Sequence, residues 1–366
     1  MHSRRQFLKQ AALGTAALAL PRMPRRSMRL LILGGTSFTG PHLVRLAIER
    51  GHTVTTFTRG LTAPALHGEW FAEAEMLTGD RDGDLSALEG RNWDVVLDNS
   101  GRSEDWTRAS AELLRNSAEL YAYTSSTGVF YPYLGSGMTE ATPVALALPE
   151  DRQEDGAMRY GVMKAASEQV AREVFGHDRS LIFRPTYIVG PGDRSNRFPY
   201  WPARLARGRR VLAPGLPDDP VQFIDVRDLT RWMLDAMEAR FAGTWNLAGP
   251  GFAMGMRAFL HGAHAAFSSA VEWVYVHDHA FFQEHGIEAY VPWILPVGDN
   301  YGSARIDPAK AHASGLTHRP LAQTVADTWA WWQSPAVSQQ RRDSLSGERS
   351  LMAREAELLA AWQARS

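Results

Sequence analysis

The chain has 366 residues, enough for one large domain or a domain carrying a substantial lobe. Its 39 Lys and Arg against 40 Asp and Glu leave it near neutral, with no basic footprint for nucleic acid. It has no cysteine, which excludes thiol catalysis, disulfides and cysteine-ligated metals, and no apolar run long enough for a stable membrane span.

The first 27 residues read as a leader. Ser3-Arg4-Arg5-Gln6-Phe7-Leu8-Lys9 has the pattern of a twin-arginine signal, followed by an apolar run over residues 11–20 and a small-residue cleavage site at Ala17-Leu18-Ala19. Export would place the mature protein in the periplasm, and the leader would take six basic residues and no acid with it. Translation from Met28 would instead leave a cytoplasmic protein.

Past the leader, residues 29–33 form a short apolar run ending in glycines, as a buried parallel strand does. Helical spacing over 41–50 stops at Gly51, and the β-branched stretch 53–57 predicts a second strand. Further strands are predicted at 75–77, 94–97, 120–123 and 180–183, with helices over 103–116 and 156–175. This alternation predicts an α/β fold, a doubly wound parallel sheet of the Rossmann kind, with its ligand crevice at the carboxyl ends of the strands. The dinucleotide-binding domain is expected over 28–185. A smaller substrate lobe, interleaved with the last sheet elements, is expected over 186–338, and a peripheral helix over 339–366.

The first strand-to-helix turn is Gly34-Gly35-Thr36-Ser37-Phe38-Thr39-Gly40. Glycines there allow a tight turn and close backbone approach to a pyrophosphate, and the helix amino end offers free N–H donors. Ser37 stands where the middle glycine of the usual motif falls. The second strand ends in Thr58-Arg59-Gly60, without the acid that would bind the ribose hydroxyl of NAD. Arg59 suits a 2′-phosphate, which favours NADP, with NAD the alternative.

Tyr160 and Lys164, four apart in a predicted helix, share one face, and the ammonium is expected to lower the phenol's pKa toward neutrality. Tyr123-Thr124-Ser125-Ser126-Thr127-Gly128-Val129-Phe130 brings hydroxyls to the end of another strand, where a substrate carbonyl would need a donor. The glycine turn, this hydroxyl segment, Tyr160-x-x-x-Lys164 and the later Arg184-Pro185-Thr186-Tyr187-Ile188-Val189-Gly190-Pro191-Gly192 occur in that order.

Together they resemble the epimerase/dehydratase type of extended short-chain dehydrogenases, across residues 28–328. The resemblance implies a catalytic hydroxyl at Ser126, with Ser125 and Thr127 as alternatives. It further implies proton transfer by Tyr160, and Lys164 holding the nicotinamide ribose. Gly34, Gly35 and Gly40 would line the pyrophosphate with Thr36, Ser37 and Phe38. Asp80 and Arg81 would lie near the adenine, and Asn99, Ser100 and Pro185 beside the cofactor. Asp80 and Asn99 read equally well as turn formers, and Asp228 as a helix cap.

Dehydratases of this family carry an Asp-Glu pair after the catalytic hydroxyl. Thr127 and Gly128 stand there, which leaves carbonyl reduction, alcohol oxidation or epimerisation of a small, sugar-like substrate. An exported enzyme, with soluble cofactor scarce around it, would favour a retained cofactor and hence epimerisation. The cluster Arg194, Arg197, Tyr200, Trp201, Arg204, Arg207, Arg209 and Arg210 reads either as a grip on phosphate and sugar or as a solvated basic helix. Trp245, Trp273 and Trp293 read as packing. His261 and His264 lack an acid partner for a metal. The resemblance also implies a homodimer. The competing reading is a non-catalytic cofactor sensor or RNA-associated relative.

Overall fold

The computed structural model describes residues 26–64, 66–99, 101–348 and 350–365. The leader up to residue 25 and Ser100 lie outside the described residues. No helix among those described is long and apolar enough to cross a membrane.

Six strands lead the chain into the fold: β1 (Arg29–Leu33), β2 (Thr53–Thr58), β3 (Glu75–Thr78), β4 (Trp93–Asp98), β5 (Ala118–Thr124) and β6 (Ser180–Pro185). Helices α1 (Thr39–Glu49), α2 (Glu104–Leu114) and α3 (Gly156–Phe175) connect them. Beyond β6 come β7 (Ile188–Val189), α4 (Tyr200–Arg207), β8 (Arg209–Pro214), β9 (Ile224–Asp225), α5 (Val226–Glu238), β10 (Gly243–Leu247), α6 (Met256–His264) and β11 (Val271–Val276). The main sheet has seven parallel strands in the order β10-β6-β5-β4-β1-β2-β3. The doubly wound Rossmann architecture is therefore present.

Strand periodicity separates the two faces. Leu30, Ile32, Val95, Leu97, Leu181 and Phe183 pack on one face with α1 and α5. Leu31, Leu33, Val96, Tyr121, Tyr123 and Ile182 pack on the other with α2 and α3. Both faces are covered, so β4 and β6 are buried along their whole length, and their centres, Val95-Val96-Leu97 and Leu181-Ile182-Phe183, are apolar runs. Each fully buried large apolar side chain contributes roughly 1.5–3 kcal/mol.

The seventh strand, β10, and helix α5 come from beyond residue 185, so the dinucleotide domain is completed by chain from the expected lobe. β10 was not predicted as a strand. It includes Asn246, fully buried, whose amide donates to the Met138 and Asp307 carbonyls. The lobe has its own aromatic core around Trp201, Phe259, Tyr290 and Trp293. The terminal segment is two helices, Gln339–Ser344 and Leu351–Gln363, rather than one. The second buries Met352, Leu358 and Leu359 in that lobe core.

The basic cluster divides. Tyr200, Trp201 and Arg204 are buried, and Arg204 pairs with Glu355 of the last helix. Arg207 bonds Ser346, Arg210 pairs with Glu272, and Arg209 opens β8. Only Arg194 and Arg197 of the cluster border the main cleft. Asp225, not Asp228, caps α5 by accepting from Arg227 N, while Asp228 is held by Arg319. Trp245 and Trp293 are core residues. His261 and His264 both meet Trp273 edge-on.

Candidate active site

A cleft of about 850 Å³ opens over the carboxyl ends of β1, β2, β4, β5 and β6. Its floor is the turn between β1 and α1. Gly34 and Gly35 take φ of 93° and 135°, and Gly34 N donates to Phe57 O. Thr36, Ser37 and Phe38 continue the lining. Gly40 does not border the cleft: a Cβ there would stand 2.3 Å from the Gly35 carbonyl oxygen. Its bare Cα lets α1 start directly against the turn. Ser37, in place of the usual glycine, accepts a hydrogen bond from Arg194 at 3.4 Å, which puts a guanidinium at the rim of the turn.

Arg59 is exposed on the wall and makes no hydrogen bond or ion pair with a described residue. Asp80 borders the cleft while also accepting from Asp82 N, so it is turn former and wall at once. Arg81 borders the cleft as well. Its guanidinium makes a bidentate pair with buried Asp98, at 2.6 and 2.8 Å, and also donates to Trp106 O and Ser110. Burial raises the Asp98 carboxyl, but Arg81 more than offsets it and holds the group below the usual carboxylate range. Asn99 ties three elements, exchanging hydrogen bonds with Thr39 of α1 and accepting from Thr124 of β5. Pro185 closes the wall at the end of β6.

The three proposed catalytic side chains meet in this cleft. Asp155 caps α3 by accepting from Ala157 N and Met158 N, and the helix then carries Tyr160 and Lys164 on one face. A Cβ on Gly128 would meet the Tyr160 ring at 2.9 Å and Ser126 Oγ at 3.2 Å, so phenol and hydroxyl flank the same glycine. Ser126 Oγ accepts from Gly128 N at 3.0 Å. Ser125 is occupied elsewhere: its hydroxyl donates to buried Glu168 at 2.6 Å. Glu168 is held in turn by Arg184 and Arg172, and Arg184 outweighs the opposing effect of burial to keep its carboxyl low.

Lys164 is buried, and its ammonium donates to the carbonyls of Gly101 (3.2 Å) and Thr124 (2.9 Å). Burial pushes its pKa down to about 8, against the opposing pull of Asp98 and Glu168. The expected lowering of Tyr160 is not found. The residue is 45% exposed at the mouth, yet desolvation around the phenol raises its pKa, with Ser126 and Arg197 opposing. The Lys164 ammonium lies 5.9 Å from the Tyr160 ring centroid and spends its hydrogen bonds on backbone.

The glycine cradle, Arg59, unpaired among the described residues, and the buried ammonium between two strand ends form a site that fits a dinucleotide. A model of the NAD dependent epimerase/dehydratase family matches residues 30–248. The chain belongs to that family of enzymes. A relative from Arabidopsis thaliana, the chloroplast stem-loop binding protein of 41 kDa b, is 32% identical over 221 residues, covering 57% of this chain and 55% of that protein. The 2-alkyl-3-oxoalkanoate reductase of Stenotrophomonas maltophilia is 28% identical over 229 residues, covering 59% and 67%. The chain thus spans little more than half of the plant protein's length. Among solved structures, WbmH of Bordetella bronchiseptica in complex with NAD+ superposes with a TM-score of 0.62 at 16% identity, over 85% of this chain and all of that one. The UDP-glucose 4-epimerase of Bifidobacterium longum, in complex with NAD+ and UDP, gives 0.59 at 17%, over 83% and 98%.

Around this epimerase/dehydratase framework the cleft has a second half. Arg197 of the basic cluster lies over the ring of Tyr187 from the Arg184–Gly192 motif, at 5.3 Å. Motif reading missed Tyr131 and Tyr133, which meet edge-on with ring centroids 5.7 Å apart, and Asn300 from the lobe. The Tyr131-Pro132-Tyr133 run just past Phe130 was the available signal. Asn300 had none.

Proposed function

We propose that the protein is an NAD(P)-dependent oxidoreductase acting on a carbonyl/alcohol carbon of a small, sugar-like substrate, as a net reaction or as one half of an epimerisation. The observation that carries this reading is the meeting of Ser126 and Tyr160 at Gly128, with Lys164 one helical turn away in the same cleft. Bound there, the nicotinamide group would supply or accept a hydride. Gly34, Gly35 and the amino end of α1 would hold the pyrophosphate, and Lys164 the ribose hydroxyls. Ser126 donates a hydrogen bond to the substrate oxygen and so stabilises developing alkoxide. Tyr160 gives that oxygen its proton during reduction, or takes it during oxidation. The raised phenol pKa supports the protonated, donor form as the resting state.

NADP is the proposed cofactor. Arg59 stands on the wall without an ion-pair partner among the described residues, at a strand end that lacks an acid. NAD is the alternative, supported by neighbours solved with it. A non-catalytic role, with stem-loop binding as named for the plant relative, is the weaker reading, because Ser126, Tyr160 and Lys164 all border the cleft here. Denaturing the purified protein and identifying the released dinucleotide tests cofactor use. A Tyr160→Phe variant that still reduces a ketone panel would overturn the proton-carrier assignment. A wild type that neither retains nor binds either dinucleotide would favour the non-catalytic role.

A further inference from the structure

After β7 the loop from Gly190 to Arg197 crosses the amino end of α1, beside the turn proposed to hold the pyrophosphate. Three contacts fix its inner side. Pro191 O accepts from His42 Nε2 of α1 at 2.9 Å. A Cβ on Gly192 would meet Leu66 at 3.1 Å and the Phe38 ring at 3.5 Å. Arg194 then reaches Ser37 of the turn itself.

The outer side of this loop is held from far beyond residue 248, where the family match ends. Arg341, in the helix Gln339–Ser344, donates through Nε to the Asn196 side-chain oxygen at 3.0 Å, and through a terminal nitrogen to Asp193 O. Asn196 also donates to the Ser344 hydroxyl at 2.9 Å. The Arg341 guanidinium lies 5.2 and 5.4 Å from the ring centroids of Trp331 and Trp332, so two indoles of the lobe core seat it. A residue anchored in that core thus grips the loop at two points.

The loop carries charge to the cleft. Arg194 and Arg197 both border it, and neither makes an ion pair with a carboxylate among the described residues. The Asp193 carboxylate between them and the core is spent on Ser195, accepting from its N at 2.8 Å and its hydroxyl at 2.6 Å. Positive charge left uncompensated beside a glycine turn suits an anion held by that turn.

We propose that Arg341 is a positioning residue for the cofactor: it fastens the 190–197 loop so that Arg194 stands over the dinucleotide's pyrophosphate and slows its release. This rests on the dinucleotide site proposed above. Both NADP and NAD carry the pyrophosphate, so the effect falls on both alike, unlike that of Arg59. Slow release is what an enzyme that keeps its cofactor through a cycle requires.

The test follows release of reduced NADP from the intact protein, by its nicotinamide fluorescence, as excess oxidised NADP displaces it. Reduced NAD is displaced by NAD in parallel. Arg194→Met should release either dinucleotide about tenfold faster than the wild type, for one lost charge-assisted contact. Arg341→Met should approach that rate. Asn196→Gly should do so too, since glycine keeps the φ of 59° without strain and leaves Arg341 on its tryptophans. The double variant Arg194→Met/Arg341→Met should be no faster than Arg194→Met alone, because both changes remove one contact. Effects that multiply in the double variant would show that Arg341 acts on the fold at large, and would overturn the assignment. Wild-type release rates in both Arg341→Met and Asn196→Gly would overturn it as well. An unchanged rate in Arg194→Met would place the pyrophosphate elsewhere and end this inference alone. A wild type that binds neither dinucleotide would end the oxidoreductase reading with it.

Discussion

A Cβ on Gly161 would lie 2.5 Å from the carbonyl oxygen of Gly128. Helix α3 therefore rests directly on the loop that follows β5, backbone against backbone. That contact brings Tyr160, the preceding residue, against Ser126.

Gly161→Ala tests it. Alanine is the better helix former by about 1 kcal/mol, so α3 itself gains. The added methyl must still push helix and loop apart, and a displacement near 1 Å costs about 100-fold where groups must be aligned. We expect kcat to fall by about 10- to 100-fold with dinucleotide affinity, read by tryptophan quenching, nearly unchanged. Full kcat in the variant would show that the contact does not position the pair.

Lys164 sets a pH limit. Its folded pKa, about 8, lies below the ordinary 10.5, so the native state gives up its proton first as pH rises. Between these values the unfolded chain binds more protons, and stability gains from this group as pH increases. Function moves the other way, since the ammonium is the form that donates. Dinucleotide affinity should weaken above about pH 8 in the wild type, and Lys164→Met should show weak binding without that limb. Affinity flat to pH 10 in the wild type would contradict the assignment.

The proposed preference for NADP turns on Arg59. Arg59→Glu replaces a partner for a 2′-phosphate by a charge that repels it. Affinity for NADP should drop at least about tenfold while that for NAD holds or improves, given one lost charge-assisted contact. Equal loss for both dinucleotides in parallel titrations would place Arg59 away from the ribose.

Arg81 is a structural matter. Arg81→Met leaves Asp98 fully buried with its main counter-charge gone. Removing one partner of a buried pair costs about 3–5 kcal/mol. Urea unfolding should report a loss of that order, and a loss below 1 kcal/mol would show that Thr107 and Tyr121, which also bond Asp98, suffice.

Much of the framework was legible along the chain. Strands β1, β4 and β6 announce themselves because a strand buried on both faces has an apolar run at its centre, β2 by its β-branched residues, and helix α3 because a helix must repeat over three to four residues. Tyr160 and Lys164 obey that last rule, and the glycine turn is local by nature. Strand β10 broke the first rule. Its buried Asn246 is tolerable only because its partners, at Met138 and Asp307, arrive from 108 and 61 residues away.

What the sequence by itself determined is the set of short-range elements: the strand-helix alternation, the turn at Gly34, and the shared face of Tyr160 and Lys164. Tertiary structure alone decided that the Ser125 hydroxyl goes to Glu168 while Ser126 stays beside the Tyr160 ring. It also turned Arg81 inward and brought Tyr133 and Asn300 to the cleft. The reason is range: backbone rules act over a few residues, whereas a side chain's partner is chosen by whatever distant segment packs beside it.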